Sequence, residues 1–345
     1  MAIVLIARPW GLFGKPEAAG QHGQVGPPDQ PYRPLSRKSL LAFAGVLGLL
    51  LLLPVLVSEF SLVLVMDMVI LSLFAASIHY LMGPGGLVSF GHAAFFGGGA
   101  YSVALLHEHF DTPMEIAFIM GPIGAGILAL AIGWFCVRRS GVYLAMLTLA
   151  FAQVAWSISF QWGDVTGGDD GIIGVWPSSW ASSKVAYYYL TLLFGIGGII
   201  VLRRTLFTPF GYAMRACRDS RLRSASIGIN ITRQQWLSFA FSGAMAGLAG
   251  ALFVYLKGSI FPDEMSLARS FDGLIMVLLG GVKTLTGPIA GATAFTWLDD
   301  VISRLDYWRF ILGSLIILIV LAFPQGISGY FRERFGSWFG QGEAD

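Results

Sequence analysis

The sequence is short of charge. Only 12% of its 345 residues are Asp, Glu, Lys or Arg, against 55% hydrophobic, about half the charged share of a soluble domain. So few charges cannot cover a water-facing surface, and the solvent that suits most of this chain is lipid. Cysteine is scarcer still: Cys136 and Cys217 are the two present, and they supply neither a disulfide framework nor a metal site. A net charge of +2 gives no reason to expect nucleic acid as a partner. No Gly-x-x-x-x-Gly-Lys-[Ser/Thr] phosphate loop occurs; Gly11-Leu-Phe-Gly-Lys15 comes nearest, and Pro16 follows without the required spacing. The apolar runs hold no clustered His/Asp/Glu ligand set and no nucleophile–base pair, so neither an enzyme nor a cofactor is expected. A proton or sodium relay would place carboxylates deep in the spans. Asp67 and Asp272 sit beside apolar runs and read as interfacial residues. Energy for uphill transport is therefore expected from outside the chain.

What the sequence does have is apolar length. About 20 apolar residues cross ~30 Å of hydrocarbon. Leu40–Val57 is uncharged, and Met68–Leu106 contains no Lys, Arg, Asp or Glu, with Gly83-Pro84-Gly85-Gly86 dividing it in two. Further spans are expected at 116–137, 142–162, 185–202, 235–256, the interrupted stretch 271–300, and 309–324. The prediction is an all-α, polytopic membrane helix bundle of nine or ten spans over 39–330, with broken or re-entrant helices. Residues 1–38 read as a flexible cytoplasmic tail, rich in Gly, Pro and Gln over 9–38, with Trp10–Phe13 as an alternative short docking element; 331–345 read as a C-terminal tail. Ala2–Ala7 is too short for the apolar core of a signal peptide. The 44 glycines suit close helix packing in lipid.

Charge placement sets the orientation. Arg33, Arg37 and Lys38 precede the first span, Arg138 and Arg139 follow the fourth, and 203–234 carries seven arginines against Asp219 alone. The alternate loops hold Glu59, Glu108, Asp111, Glu115, Asp164, Asp169, Asp170, Asp263 and Glu264. Excess Lys and Arg marks the cytoplasmic side, which puts the N-terminus inside. Arg332 and Arg334 put the C-terminus inside as well, and this requires ten crossings or a re-entrant segment near 280.

Three motifs stand out. The first runs from Gly83 to Tyr101. Glycine costs a helix about 1 kcal/mol relative to alanine, and a break at membrane depth persists only where protein or a water-filled cavity satisfies the backbone. Gly86, Ser89, Gly91, His92, Gly97, Gly98, Gly99 and Tyr101 are candidate pathway residues; the alternative is a tight helix crossing without solute. The second, Gly280-Gly281-Val-Lys-Thr-Leu-Thr-Gly-Pro288, weakly repeats the first and adds Gly280, Gly281, Lys283 and Thr284. Gly243/Gly247 and Gly287/Gly291 have the four-residue spacing of close helix contacts. The third is the arginine-rich segment. Within it, 219–229 reads as a short helix capped by Asp219 and ended by Gly228, with Leu222, Ala225, Ser226 and Ile229 on one narrow face. Such a face rests on a partner's groove or on lipid headgroups.

At these residues the chain resembles the LivM-type permease family of branched-chain amino acid ABC importers. The resemblance covers roughly 60–330. It rests on Gly86-Leu-Val-Ser-Phe-Gly-His-Ala-Ala-Phe-Phe96 with Gly99-Ala-Tyr101, Thr208-Pro-Phe-Gly-Tyr-Ala-Met-Arg-Ala-Cys-Arg-Asp219, Ile227-Gly-Ile-Asn-Ile-Thr-Arg233, Ala244–Leu252, Leu278–Gly281, Gly287-Pro288 and Phe323–Ile327. It implies a bacterial inner-membrane permease working with a sister permease, two cytosolic ATPase subunits and a periplasmic solute-binding protein. It also implies that Arg215, Arg218, Asp219, Arg221, Leu222, Arg223, Gly228, Ile229 and Asn230 form the element that docks on an ATPase. One departure is Arg221-Leu-Arg-Ser-Ala-Ser226, where the family often has a Glu-Ala-Ala-like core. Urea or short amides are alternative solutes, and a self-sufficient channel is the alternative mechanism.

Overall fold

Backbone amides in hydrocarbon must be paired within the protein, and this chain pairs them in helices. The computed structural model describes residues 37–284, 286–322 and 326–329. In chain order the elements are α1 (Arg37–Leu56), α2 (Glu59–Met82), α3 (Ala93–Phe110), α4 (Met114–Cys136), α5 (Val142–Gln161), α6 (Lys184–Thr205), α7 (Pro209–Asp219), α8 (Arg221–Ser226), α9 (Ile231–Lys257), α10 (Leu267–Gly280), α11 (Gly287–Ile302) and α12 (Trp308–Ala322). One-turn helices occupy parts of 163–181 and 262–265, and β1 (Ile172–Ile173) pairs antiparallel with β2 (Ser259–Ile260). The all-α polytopic bundle is as expected, except that α1 begins at Arg37, inside the stretch read as a tail. Residues 1–36, including Gly11–Lys15, Trp10–Phe13 and Arg33, lie outside the described residues, as do 331–345 with Arg332 and Arg334.

Small residues build the core. α9 runs through the middle of the bundle, and its glycines let α3 and α4 approach at backbone distance. A Cβ on Gly247 would lie 2.2 Å from Ala125 Cβ, one on Gly243 2.3 Å from Ala129 Cβ, and one on Gly250 1.9 Å from the Phe96 carbonyl oxygen. This is the dispersion-driven packing that replaces the hydrophobic effect in lipid. Phe96 fills the adjoining space against Phe74 and Phe253, with ring centroids at 4.9 and 5.3 Å. Hydroxyls and an indole tie helices through carbonyls: Ser242 donates to Ser77 O (2.6 Å), Tyr187 to Leu252 O (2.5 Å) and Trp236 to Leu130 O (2.8 Å). Pro54 has no N–H to offer Leu50 O one turn back. The Tyr188 hydroxyl, on α6, donates to that carbonyl at 2.7 Å.

Charges separate to the two ends of the bundle. At one end Lys184 meets Glu59 and Lys257 meets Asp67, each at 2.7 Å, and the Trp180 indole donates to Glu115. At the other lie Arg138, Arg139 and the whole arginine segment. The Gly280-Gly281 interruption is a turn at the arginine end, because His79, near the end of α2, contacts Val282 O. α10 and α11 cross antiparallel at their glycines: a Cβ on Gly280 would sit 1.8 Å from Gly287 O, and one on Gly291 1.8 Å from Met276 O. Gly326 packs against Gly281, its Cβ position 2.4 Å from the Gly281 Cα, so the chain returns to the arginine end. Ten helices of 14 or more residues lie among the described residues, and five of them are long and apolar enough to cross a membrane.

Candidate functional site

The first glycine break starts where α2 runs out. Gly83 closes the helix on His79 O (2.8 Å) and Pro84 removes the next donor, so the chain turns, with Leu87 N returning to Leu81 O (2.9 Å). Two side chains from other helices take up the freed amides: Thr148 of α5 accepts from Phe90 N, and Ser270 of α10 accepts from Ala93 N, both at 3.1 Å. Protein side chains thus take up two of the amides that the break frees at membrane depth. Gly91 allows the fit, since a Cβ there would lie 2.2 Å from Thr148 O.

His92 ends the break. Its ring is fully buried, 5.4 Å from Phe95 in an edge-on contact, with Nε2 3.2 Å from Ser242 Oγ. That hydroxyl already gives its proton to Ser77 O, so it accepts from His92 Nε2–H. Gly97, Gly98 and Gly99, read from the sequence as part of the break, are helical residues of α3. Gly97 faces Met265, Gly98 faces Leu128, and a Cβ on Gly99 would fall 2.4 Å from the Gly247 backbone. Close packing offsets their poor helix propensity. Ser89 and Tyr101 are buried, whereas Gly86 is exposed with φ +66°.

The second motif meets the first directly. His79 Nε2 lies 2.7 Å from Val282 O, and a Cβ on Gly83 would lie 2.9 Å from that oxygen. Gly280, Gly281 and Thr284 are buried in the turn, and Lys283 is exposed at the arginine end.

The arginine segment contains two short helices. Thr208 caps α7, its hydroxyl accepting from Gly211 N at 3.3 Å. α8 is capped by Ser220, which accepts from Arg223 N, and not by Asp219. Asp219 closes α7 and pairs with Arg218 at 3.0 Å. The serine hydroxyl reaches the orphan amide while the carboxylate answers a neighbouring guanidinium. Gly228, at φ +87°, turns the chain, and Asn230 caps α9 by accepting from Arg233 N (3.0 Å). Arg215 donates to Leu206 O and lies over Tyr212, and Arg221 donates to Gln235 Oε1 (2.8 Å). Burial pushes the Cys217 thiol up from its ordinary pKa, against smaller opposing effects of Ser224 and Arg221. Arg223 is exposed and Ile229 half-buried, while Leu222 and Ile227 are 81% and 73% exposed.

One long-range contact joins all three motifs. Arg218 Nη1 donates to Gly83 O at 2.8 Å, and its Cγ would be 2.5 Å from a Cβ on Gly86. The guanidinium therefore holds the start of the break, which touches the second turn through Val282 and His79. His79, Thr148, Ser242 and Ser270 were not among the sequence candidates; their signal was a polar side chain inside an apolar run. Arg218 of α7 thus touches the carbonyl at the mouth of the broken helix.

A family model described as the branched-chain amino acid transport system permease component matches residues 60–320. The chain is 25% identical over 320 residues to the high-affinity branched-chain amino acid transport system permease protein LivM of Salmonella typhimurium, covering 85% of this chain and 75% of that one. Against LivM of Escherichia coli K12 it is 26% identical over 86% of this chain and 76% of the other. LivH of Salmonella typhimurium, a permease protein of the same description, is 26% identical over 75% of this chain and 91% of its own. No solved structure matches the chain.

Proposed function

Because the chain belongs to the family of branched-chain amino acid transport system permease components, we propose that it is the membrane-crossing subunit of an ABC importer for branched-chain amino acids. Its partners in this reading are a sister permease, two cytosolic ATPase subunits and a periplasmic solute-binding protein. The arginine end faces the cytoplasm of a bacterial inner membrane, by the excess of arginine there, which makes the N-terminus cytoplasmic.

The observation that carries the mechanism is Arg218 reaching Gly83 O from a helix whose neighbour, α8, presents exposed Leu222 and Ile227. An ATPase groove covers those two side chains, and closure of the ATPases shifts α7 and α8 together. Arg218 passes that shift to the break. Ser89, His92, Gly280 and Gly281 are buried in the conformation described, so the solute passes when the helices bearing the two breaks part. ATP need only favour one orientation over the other by about 5 kcal/mol to swing the population almost completely.

The test is leucine uptake into proteoliposomes holding the chain with its co-assembling subunits and ATP. Replacing 221–228 by a Gly/Ser linker is expected to abolish uptake and leave insertion intact. Normal uptake by that variant refutes the docking role. Accumulation of leucine against its gradient by the purified chain alone refutes the dependence on a partner.

A further inference from the structure

Glu264 reads from the sequence as an acid of an outer loop, and the fold puts it inside the bundle. Gly258, at φ +68°, turns the chain at the end of α9, and the residues that follow descend alongside α3. Met265 is buried against Gly97, where a Cβ would lie 2.2 Å from the Met265 Cγ. Gly97 lies about 20 Å along α3 from its acidic end at Phe110. Ser270 reaches deeper still, accepting from Ala93 N at 3.1 Å. The segment 258–270 is therefore re-entrant, and it carries Glu264 and Arg269 well into the hydrocarbon.

The two charges meet there. Arg269 Nε and Glu264 Oε2 are 2.9 Å apart, with side chains 18% and 23% exposed. The guanidinium carbon stands 5.5 Å from the ring centres of both Phe96 and Phe253, and Lys257 Nζ, nearer the acidic end, is 5.6 Å from the second ring. Phe74, packed on Phe96, fixes the depth: it lies about 22 Å along the roughly 36 Å of α2. Charge so deep is costly unless protein or a passing solute answers it. A pair that only locked the segment should align its hydrogen bonds, because good geometry alone repays the desolvation. Here neither Nε nor Oε2 makes an aligned hydrogen bond among the described residues. Binding capacity of both signs is left over at one point, near the depth where transporters hold their solutes.

We propose that Glu264 and Arg269 form a transit site for a zwitterion. The guanidinium takes the α-carboxylate of the solute, for which its planar fork of donors is suited, and the Glu264 carboxylate takes the α-ammonium. Every charge is then answered by its opposite, and the pair re-forms when the solute leaves. The site also adjoins the first glycine break: Ser270, the residue after Arg269, is the one that holds Ala93 N.

This site deepens the proposed function and rests on it for the class of solute. Photo-leucine, a diazirine analogue that keeps both charged groups, is irradiated with the full membrane assembly in proteoliposomes. Mass spectrometry is expected to place adducts within 253–271 or on the first turn of α3. Excess leucine should suppress them several-fold, whereas isocaproate, which lacks the ammonium, should not. That map needs no variant to fold. Glu264→Gln and Arg269→Gln made together remove both charges and leave none buried alone. The adduct and leucine uptake should each fall several-fold, with chain abundance unchanged. No adduct in those segments, equal suppression by isocaproate, or an undiminished adduct in the double variant overturns the site. The two readings fail separately. Adducts within 253–271 without leucine uptake remove the importer and leave the site; leucine uptake indifferent to the double substitution removes the site and leaves the importer.

Discussion

The glycines around α9 and those at the arginine end are the same residue put to opposite uses. In the interior, Gly99, Gly247 and Gly250 are helical and serve by having no side chain, letting backbones touch. At the arginine end, Gly86 and Gly228 have positive φ and serve by allowing a turn that few other residues adopt cheaply. The first set fixes which helices are neighbours. The second shapes the loops where Arg218 meets the break and where the chain turns into α9. A transporter needs both: a part that does not yield, and a part whose yielding means something.

Enlarging an interior glycine should have the largest effect. Gly250→Val places a branched side chain where even a Cβ lies 1.9 Å from the Phe96 carbonyl. Backbone cannot step aside as a flexible side chain does, and the cost is expected to exceed the usual range of about 1–3 kcal/mol for overpacking. Folded, monodisperse protein recovered in detergent should fall close to zero, and uptake with it. Recovery near wild type would mean that the α3–α9 contact yields, and the contrast between the two glycine sets would collapse.

Removing Arg218 comes next, and it should separate abundance from activity. A hydrogen bond to a charged donor contributes about 1.5–3 kcal/mol, and Arg218→Ala leaves the other arginines to hold the topology. Protein level should stay near wild type while uptake falls roughly tenfold, the equivalent of about 1.4 kcal/mol. Gly86→Ala attacks the same contact from the other side, since its Cβ would displace the Arg218 stem and its φ of +66° is strained. It should reproduce the phenotype, and the double variant should be little worse than either single one. Additive losses would place Arg218 and Gly86 on separate routes.

Much of this arrangement is legible in the sequence. Helix length, the break at Gly83-Pro84, the Gly243/Gly247 and Gly287/Gly291 crossings and the segregation of arginine from acid follow from period, propensity and charge. What stayed open or was misread has local causes. Gly97–Gly99 read from the sequence either as part of the break or as a tight helix crossing, and tertiary packing against Gly247 and Leu128 decides for the crossing. Ser220 displaced Asp219 as the cap because Asp219 had Arg218 to answer. Illegible altogether were contacts between residues far apart in the chain, such as Arg218 with Gly83 and His79 with Val282. No local pattern announces them; only the folded bundle brings them together.

The smallest effect should come from Gly228, where conformation alone is at stake. Nothing lies within 4 Å of a Cβ built there, yet its φ is +87°. Gly228→Ala therefore meets no clash and incurs only the left-handed backbone penalty, about 1–2 kcal/mol, confined to the turn between α8 and α9. Abundance should not change, and uptake should fall several-fold as Leu222 and Ile227 lose their presentation. Gly228→Asn is the sharper measurement, because asparagine tolerates positive φ better than alanine while being larger. If space governed this position, asparagine would be the worse substitution; if backbone angle governs it, asparagine should recover most of the uptake that alanine loses.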